Sequence, residues 1–185
     1  IFPQKICKNH LLYAPKFTII KEKIPLRMQR NRRRAVRARG KPHGMGMENY
    51  LPLLQSTSLF AGLEAESLRV LLGNVGAVLR TYSRGETLVL AGQTNRRVGV
   101  VLSGTIEAYH PAASGARLPI SQMGPGGVFG DVLGGSSLSS PVTVMASAPC
   151  EVLLMPYEKL LLPGADPARQ RVLQNLVRTI SDKYF

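Results

Sequence analysis

Gly124-Pro125-Gly126-Gly127-Val128-Phe129-Gly130-Asp131, followed by Ser139-Ser140-Pro141-Val142-Thr143-Val144-Met145-Ala146, is the stretch whose reading decides the fold. The glycines let backbone approach a ligand closely, and successive N–H groups in such a turn can form an anion-binding nest. Behind the turn, Val142, Val144 and Ala146 alternate with Thr143 and Met145, the period of a strand with one buried face. The first expectation is a ligand-cradling turn carried on a β scaffold.

The same period recurs on both sides. Val98, Val100 and Leu102 alternate with Gly99, Val101 and Ser103. Beyond the break at Gly104, Ile106 and Ala108 continue opposite Thr105, Glu107 and Tyr109, and Val152 and Leu154 repeat the pattern later. Short β-rich runs punctuated by Gly, Pro, Ser and Asn read as an antiparallel sandwich or jelly roll. Helical patterns flank it, at 67–79 before and 167–185 after. The class is α+β, dominated by β.

In this order and spacing, the segments resemble the cyclic-nucleotide-binding domain, the sensor half of Crp/Fnr-type bacterial transcription regulators. The resemblance covers roughly residues 51–185. It rests on Leu59-Phe60-Ala61-Gly62-Leu63 with Leu68, Leu71 and Leu72, on Tyr82-Ser83-Arg84-Gly85-Glu86-Thr87-Leu88, and on Ala91-Gly92-Gln93. Val98 to Ile106, Cys150 to Met155 and the glycine turn complete it. It implies an antiparallel β-roll (a double-stranded β-helix, or jelly roll) with flanking helices and a C-terminal dimerisation helix. It also implies a phosphate-binding cassette, carried here by Gly126, Gly127, Phe129, Gly130, Asp131, Ser140 and Pro141.

In the resembled family a Glu after the glycine turn holds the ribose 2′-hydroxyl, and an Arg further along neutralises the cyclic phosphate. Asp131, one methylene shorter, stands in the Glu position, and Ser140 stands in the Arg position with Pro141 next to it. The cassette is therefore degenerate. Cyclic AMP is expected to bind weakly or not at all, and the sequence does not identify the effector. Arg117, in the preceding hairpin, is the one replacement cation that the sequence suggests.

The chain length of 185 residues suits one domain with a sizeable core. The net charge of +13 is unevenly placed. Residues 1–47 hold thirteen Lys or Arg against the single acid Glu22, a net of +12, which leaves +1 for the rest. The globular part thus gives no electrostatic reason to expect sequence-independent DNA binding. Cys7 and Cys150 are the only cysteines, too few for a disulfide framework or a thiolate metal cage. No run of eighteen apolar residues exists, so no transmembrane helix and no membrane partner are expected, and the expected location is cytoplasmic.

The basic run Arg30-Asn31-Arg32-Arg33-Arg34-Ala35-Val36-Arg37-Ala38-Arg39 admits three readings. A nucleic-acid-binding arm would release counterions at phosphates. A transit peptide would be Arg-rich, although residues 1–47 contain no serine. The favoured reading is that translation starts at Met47 or Met45 and that the preceding segment is not native protein. The expected division is 1–46, basic and disordered, 47–165, the β-roll, and 166–185, the truncated dimerisation helix.

Other chemistry is sparse. His10, His43 and His110 are the only histidines, and one histidine in the globular part cannot build the metal site of a jelly-roll enzyme. The serines at 136, 137, 139 and 140 have no accompanying base and read as a polar loop. Cys150 reads as a buried structural thiol. No metal, no cofactor and no enzymatic activity are expected.

At the C-terminus, Asp166 can cap a helix whose first residue is Pro167. Leu173, Leu176, Ile180 and Tyr184 form one stripe on it, widened by Val172 and Val177. The stripe can pack on the roll or pair with a second copy, and a homodimer is expected. Two functions of different class remain. One is the effector-sensing domain of a Crp/Fnr-like regulator cut before its helix-turn-helix, so that DNA is reached only through a domain absent from this chain. The alternative is a stand-alone ligand-binding or protein-interaction domain that acts without DNA.

Overall fold

The computed structural model describes residues 40–41, 46–112, 114–130, 139–162 and 166–184. Among the described residues, nine strands form two antiparallel sheets. The first holds β1 (Gly40–Lys41), β2 (Val78–Tyr82), β4 (Arg97–Ser103), β7 (Val128–Gly130) and β9 (Cys150–Pro156), in the order β1-β2-β9-β4-β7. The second holds β3 (Thr87–Val89), β5 (Ile106–Pro111), β6 (Arg117–Met123) and β8 (Thr143–Ala146), in the order β3-β8-β5-β6. The helices are α1 (Leu51–Ser56), α2 (Ala65–Asn74), α3 (Tyr157–Leu161) and α4 (Pro167–Tyr184).

Side-chain parity in the five-stranded sheet divides the interior into two cores. Leu79, Val98, Val100, Leu102, Val128, Leu153 and Met155 face the helices, where they meet Leu54, Phe60, Leu68, Leu71, Leu72, Leu160, Val172 and Leu176. The intervening positions Tyr82, Val101, Phe129, Cys150, Val152 and Leu154 face the second sheet and pack on Val89, Ile106, Ala108, Val144 and Ala146. This corrects the reading of β4 as a strand with one wet face. Every residue from Val98 to Leu102 is buried, because helices cover one face and the second sheet covers the other.

The first flanking helix is also shorter than its sequence pattern. Leu68, Leu71 and Leu72 form the buried face of α2, but the helix stops at Asn74, and Leu79 belongs to β2. The stop is made by the backbone: Gly76 N–H donates to Gly73 O, and Ala77 N–H reaches back to Leu72 O at 2.9 Å. Apolar period continues through 75, 77 and 79 only because the emerging strand buries the same side. Arg69 braces α2, pairing with Glu66 on its own helix and with Glu48 from the preceding turn, both at 2.6 Å.

The C-terminal helix begins as expected, with the Ala168 N–H donating to Asp166 Oδ1 at 3.0 Å. Its buried face is Val172, Asn175 and Leu176, at 0%, 8% and 3% exposure. Leu176 is therefore part of the protomer's own core, a correction to its placement in a dimer seam. Leu173 is half-buried and Val177 is 63% exposed, so these two point away from the roll. The side chains of Ile180 and Tyr184 lie outside the described residues.

Gly40 and Lys41 from the basic segment pair with Arg80 and Leu79 at the edge of the first sheet, so two residues of the stretch expected to be disordered form a strand. Among the described residues, both cores are nonetheless assembled from Met47 onward. A chain starting at Met45 is expected to keep its thermal midpoint within a few degrees of that of the full chain. Scanning calorimetry showing a fall of about 10 °C or more would mean that the removed segment contributes to the packing.

Candidate functional site

The glycine turn connects β6 to β7 and is tied to β4 by its own backbone. Gly126 N–H donates to Val101 O at 2.8 Å, Gly127 N–H to Gly124 O at 2.9 Å, and Val101 N–H to Gly127 O at 2.9 Å. Two of the N–H groups read as anion donors are thus engaged within the fold. Gly127 serves close packing instead, since a Cβ there would lie 2.9 Å from both Gly124 O and Met123 Cβ, while Gly126 turns the chain at φ +86°.

Phe129 points into the roll, 5% exposed, and its ring lies over Gly99, its cross-strand partner. A Cβ on Gly99 would come within 2.3 Å of that ring, so the missing side chain on β4 makes room for the aromatic on β7. Gly130 pairs with Val98 and has φ +117°, and its backbone abuts Arg97 O. Asp131 lies outside the described residues.

On the far side of the site, Ser140 is buried and turned into its own backbone. Its Oγ donates to Val142 O at 2.9 Å and accepts from Val142 N–H at 3.3 Å, a local turn of the kind serine favours. The Ser140 backbone bridges to the loop after β3, with Gly92 N–H donating to Ser140 O and Ser140 N–H to Gln93 O. Pro141 is exposed, and its carbonyl accepts from His110 Nδ1 at 3.0 Å. A carbonyl can only accept, so this contact places a proton on Nδ1. The structure brings Phe129, Gly130, Ser140 and Pro141 to the two walls of the roll, but position 140 supplies no cation.

Arg117 does not supply it either. It sits on the outer face of β6, with its guanidinium 5.0 Å from the Tyr109 ring centre and 3.7 Å from Glu107, and Nη1 near the Met145 sulfur. The β6 strand itself escaped sequence reading because it is exposed on both faces and has no alternation to detect.

Where β2, β4 and β9 end, an open groove of about 410 Å³ is lined by Thr81, Tyr82, Ser83, Ser103, Pro149, Cys150 and Glu151. Glu151 accepts a 2.6 Å hydrogen bond from the Tyr50 hydroxyl, and this bond, more than burial, raises the Tyr50 pKa. Cys150 is 5% exposed, and burial, with a smaller contribution from Glu86, pushes its thiol up to about 11.

Residues 79–161 match the family described as the cyclic nucleotide-binding domain. The fold is the cyclic nucleotide-binding β-roll. Solved structures agree with this architecture. A cyclic nucleotide-binding domain from Methylobacillus flagellatus superposes with a TM-score of 0.65 at 16% identity, covering 75% of this chain and 80% of that one. The sensor domain of the transcriptional regulator DNR from Pseudomonas aeruginosa gives 0.57 at 19% identity, covering 75% and 89%. The catabolite activator protein of Thermus thermophilus gives 0.59 at 23% identity, with 69% of this chain matching 58% of that protein. No curated protein matches the chain in sequence. Among the described residues, no helix is long and apolar enough to cross a membrane.

The buried thiol gives a pH signature. An unfolded cysteine ionises near 8.5, roughly, whereas Cys150 in the fold holds its proton to about 11. Between these values only the unfolded state releases the proton, so stability falls as pH rises through the window. The thermal midpoint of the wild type is expected to drop more steeply over that range than that of Cys150→Ala. Parallel slopes would remove the thiol as the cause.

Proposed function

We propose that this chain is the effector-sensing part of a Crp/Fnr-type transcription regulator, with a degenerate phosphate cassette and a homodimeric form. The observation that carries this reading is the placement of α4. One helix presents Val172 and Leu176 to the core that backs the roll, and Leu173 and Val177 to the outside. A helix used on both sides can relay what happens in the roll to a second copy. Residues 48–185 carry a net charge of only +1 and so give no electrostatic reason to expect sequence-independent DNA binding, and DNA reading is assigned to another domain of the regulator. The similarity to a regulator's sensor domain supports the same reading.

The effector is not a tight-binding cyclic nucleotide. Position 140 gives no charge, and its hydroxyl is already engaged with Val142. A charge-assisted Arg–phosphate contact contributes roughly 1.5–3 kcal/mol, so its loss weakens binding at least tenfold, on the scale where about 1.4 kcal/mol is one decade. Titration calorimetry with cyclic AMP and cyclic GMP is expected to give no binding in the micromolar range. Micromolar affinity for either nucleotide would overturn the degenerate cassette.

The dimer seam runs along positions 173, 177, 180 and 184, which succeed one another at heptad spacing. The double variant Leu173→Glu/Val177→Glu is expected to sediment as a monomer with its circular dichroism and thermal midpoint intact. Leu176→Glu should instead unfold, since it puts a carboxylate into a site 3% exposed. A wild-type chain that stays monomeric at high concentration would remove the seam.

A further inference from the structure

β1 covers only part of the edge on which it lies. β2 pairs with β9 along its whole length, Val78 to Tyr82, but with β1 only at Leu79 and Arg80. Among the described residues, no strand covers the outer edge at Thr81 and Tyr82. The direction of β1 decides what comes next to that stretch. It runs antiparallel to β2, with Lys41 opposite Leu79 and Gly40 opposite Arg80, so the chain before Gly40 leads toward Thr81, Tyr82 and the turn at Ser83. Residues 1–39 lie outside the described residues. The last of them are the end of the basic run, Val36-Arg37-Ala38-Arg39.

The open groove of about 410 Å³ begins where this bare edge does. Thr81, Tyr82 and Ser83 belong to its lining, and Glu151 is the charged group in that lining. Thr81 is opposite Glu151 and Glu151 opposite Ser103, so the three stand in one row across β2, β9 and β4. Thr81 and Ser83 are exposed, and Glu151 is half-buried. The Tyr50 hydroxyl engages Glu151 Oε2, and an ionised carboxylate has acceptor sites for further donors. A second carboxylate lies at the adjoining turn, where Glu86 accepts from Ser83 N–H at 2.6 Å. Of the cations close in sequence, Arg80 has the opposite parity to Thr81, and Arg84 is exposed in the turn.

We propose that the outer edge of β2 and the groove beside it form the docking surface for this chain's own basic segment, with Arg39 and Ala38 continuing β1 and Arg39 paired to Glu151. Continuing the register puts Arg39 beside Thr81 and Ala38 beside Tyr82. Directly opposed residues on neighbouring strands share a face, so Arg39 falls on the face of Thr81 and Glu151. Two strand spacings separate it from Glu151, about 10 Å between Cα atoms, which an arginine and a glutamate side chain bridge across the short Thr81. Arg37 comes to the Ser83–Glu86 turn and its carboxylate. The segment's own pattern fits: Arg37 and Arg39 alternate with Val36 and Ala38, the period of a strand with one charged and one apolar face. An added strand covers backbone groups that a bare edge leaves unpaired, and the guanidinium–carboxylate contact is charge-assisted. The contact is peripheral to both cores, so its loss frees the segment while leaving the thermal midpoint nearly unchanged.

Limited trypsin digestion of the full chain tests this, because cleavage follows the population of the undocked form. A synthetic peptide of residues 35–45 supplies the unprotected rate at the same bonds, and each arm variant is compared with its own peptide. Cleavage after Arg37 and Arg39 is expected to be at least about tenfold slower in the full chain than in the peptide. Glu151→Gln should remove most of that protection with circular dichroism unchanged. Arg39→Gln should do the same for the bond after Arg37, and it touches neither core. Arg30→Gln removes the same charge outside the docked stretch and should keep the protection, as should Tyr50→Phe, which spares the Glu151 carboxylate. Cleavage of the full chain at the peptide's rate would overturn the docking. Protection that survives Glu151→Gln or Arg39→Gln, or that Arg30→Gln or Tyr50→Phe removes as fully, would overturn it too. Protection that grows with protein concentration would assign the edge to the arm of a second copy and overturn docking within the chain. The effector reading is independent of all these outcomes, because its sedimentation and calorimetric tests do not involve this edge.

Discussion

Burial of the β4–β9 strand pair on both faces is the constraint on which the rest of the molecule depends. A strand with two dry faces cannot alternate polar with apolar residues, and Val98 to Leu102 and Val152 to Met155 accordingly form unbroken apolar runs. Each face then needs its own cover. Helices α1, α2, α3 and α4 supply one and the four-stranded sheet the other, and Gly99 yields its volume to Phe129 so that the lumen side can close. The glycine turn is held by β4 of this pair, through the hydrogen bonds of Val101 with Gly126 and Gly127. Site and core are one construction.

How much of this was legible in the sequence follows from the same physics. Strands covered on one face, such as β5 with Ile106 and Ala108 inside, were legible because their alternation survives. The Asp166–Pro167 helix start was legible because capping is local chemistry. The length of α2 was not, since a helix face and a following strand that bury toward the same core continue one another's apolar pattern. Nor was β6, whose wet faces carry no periodicity. The outward face of α4 was only half legible: the stripe was visible, but Leu176 and Val177 are neighbours in sequence, and only packing shows which of them turns inward.

The site divides in the same way. Glycine content marked the turn, yet a glycine that admits a ligand and a glycine that admits neighbouring backbone look identical in sequence. The hydrogen bonds of Gly126 and Gly127 belong to the second kind. Arg80 sat in plain view, but an arginine in a strand reads as solvent-facing until the structure shows that its neighbours on the same face, Val78 and Tyr82, pack in the core. Arg117 illustrates the converse, a cation near the cassette in sequence and on the outside of the roll in space.

Asn175 has a consequence for how the molecule comes apart. Its Nδ2 donates to both Leu59 O and Ala61 O, at 3.1 and 2.9 Å, from a position 8% exposed. Peeling α4 away would leave the Leu59 carbonyl without its donor and uncover Val172 and Leu176 together, a loss of several kcal/mol in the usual range for such groups, about 1–3 kcal/mol for each buried polar or apolar group exposed. The first turns of α4 therefore open only with the roll itself, as one cooperative unit. Amide hydrogen exchange is expected to show the protected core extending along the helix through the turn of Asn175, with sub-global opening beyond it.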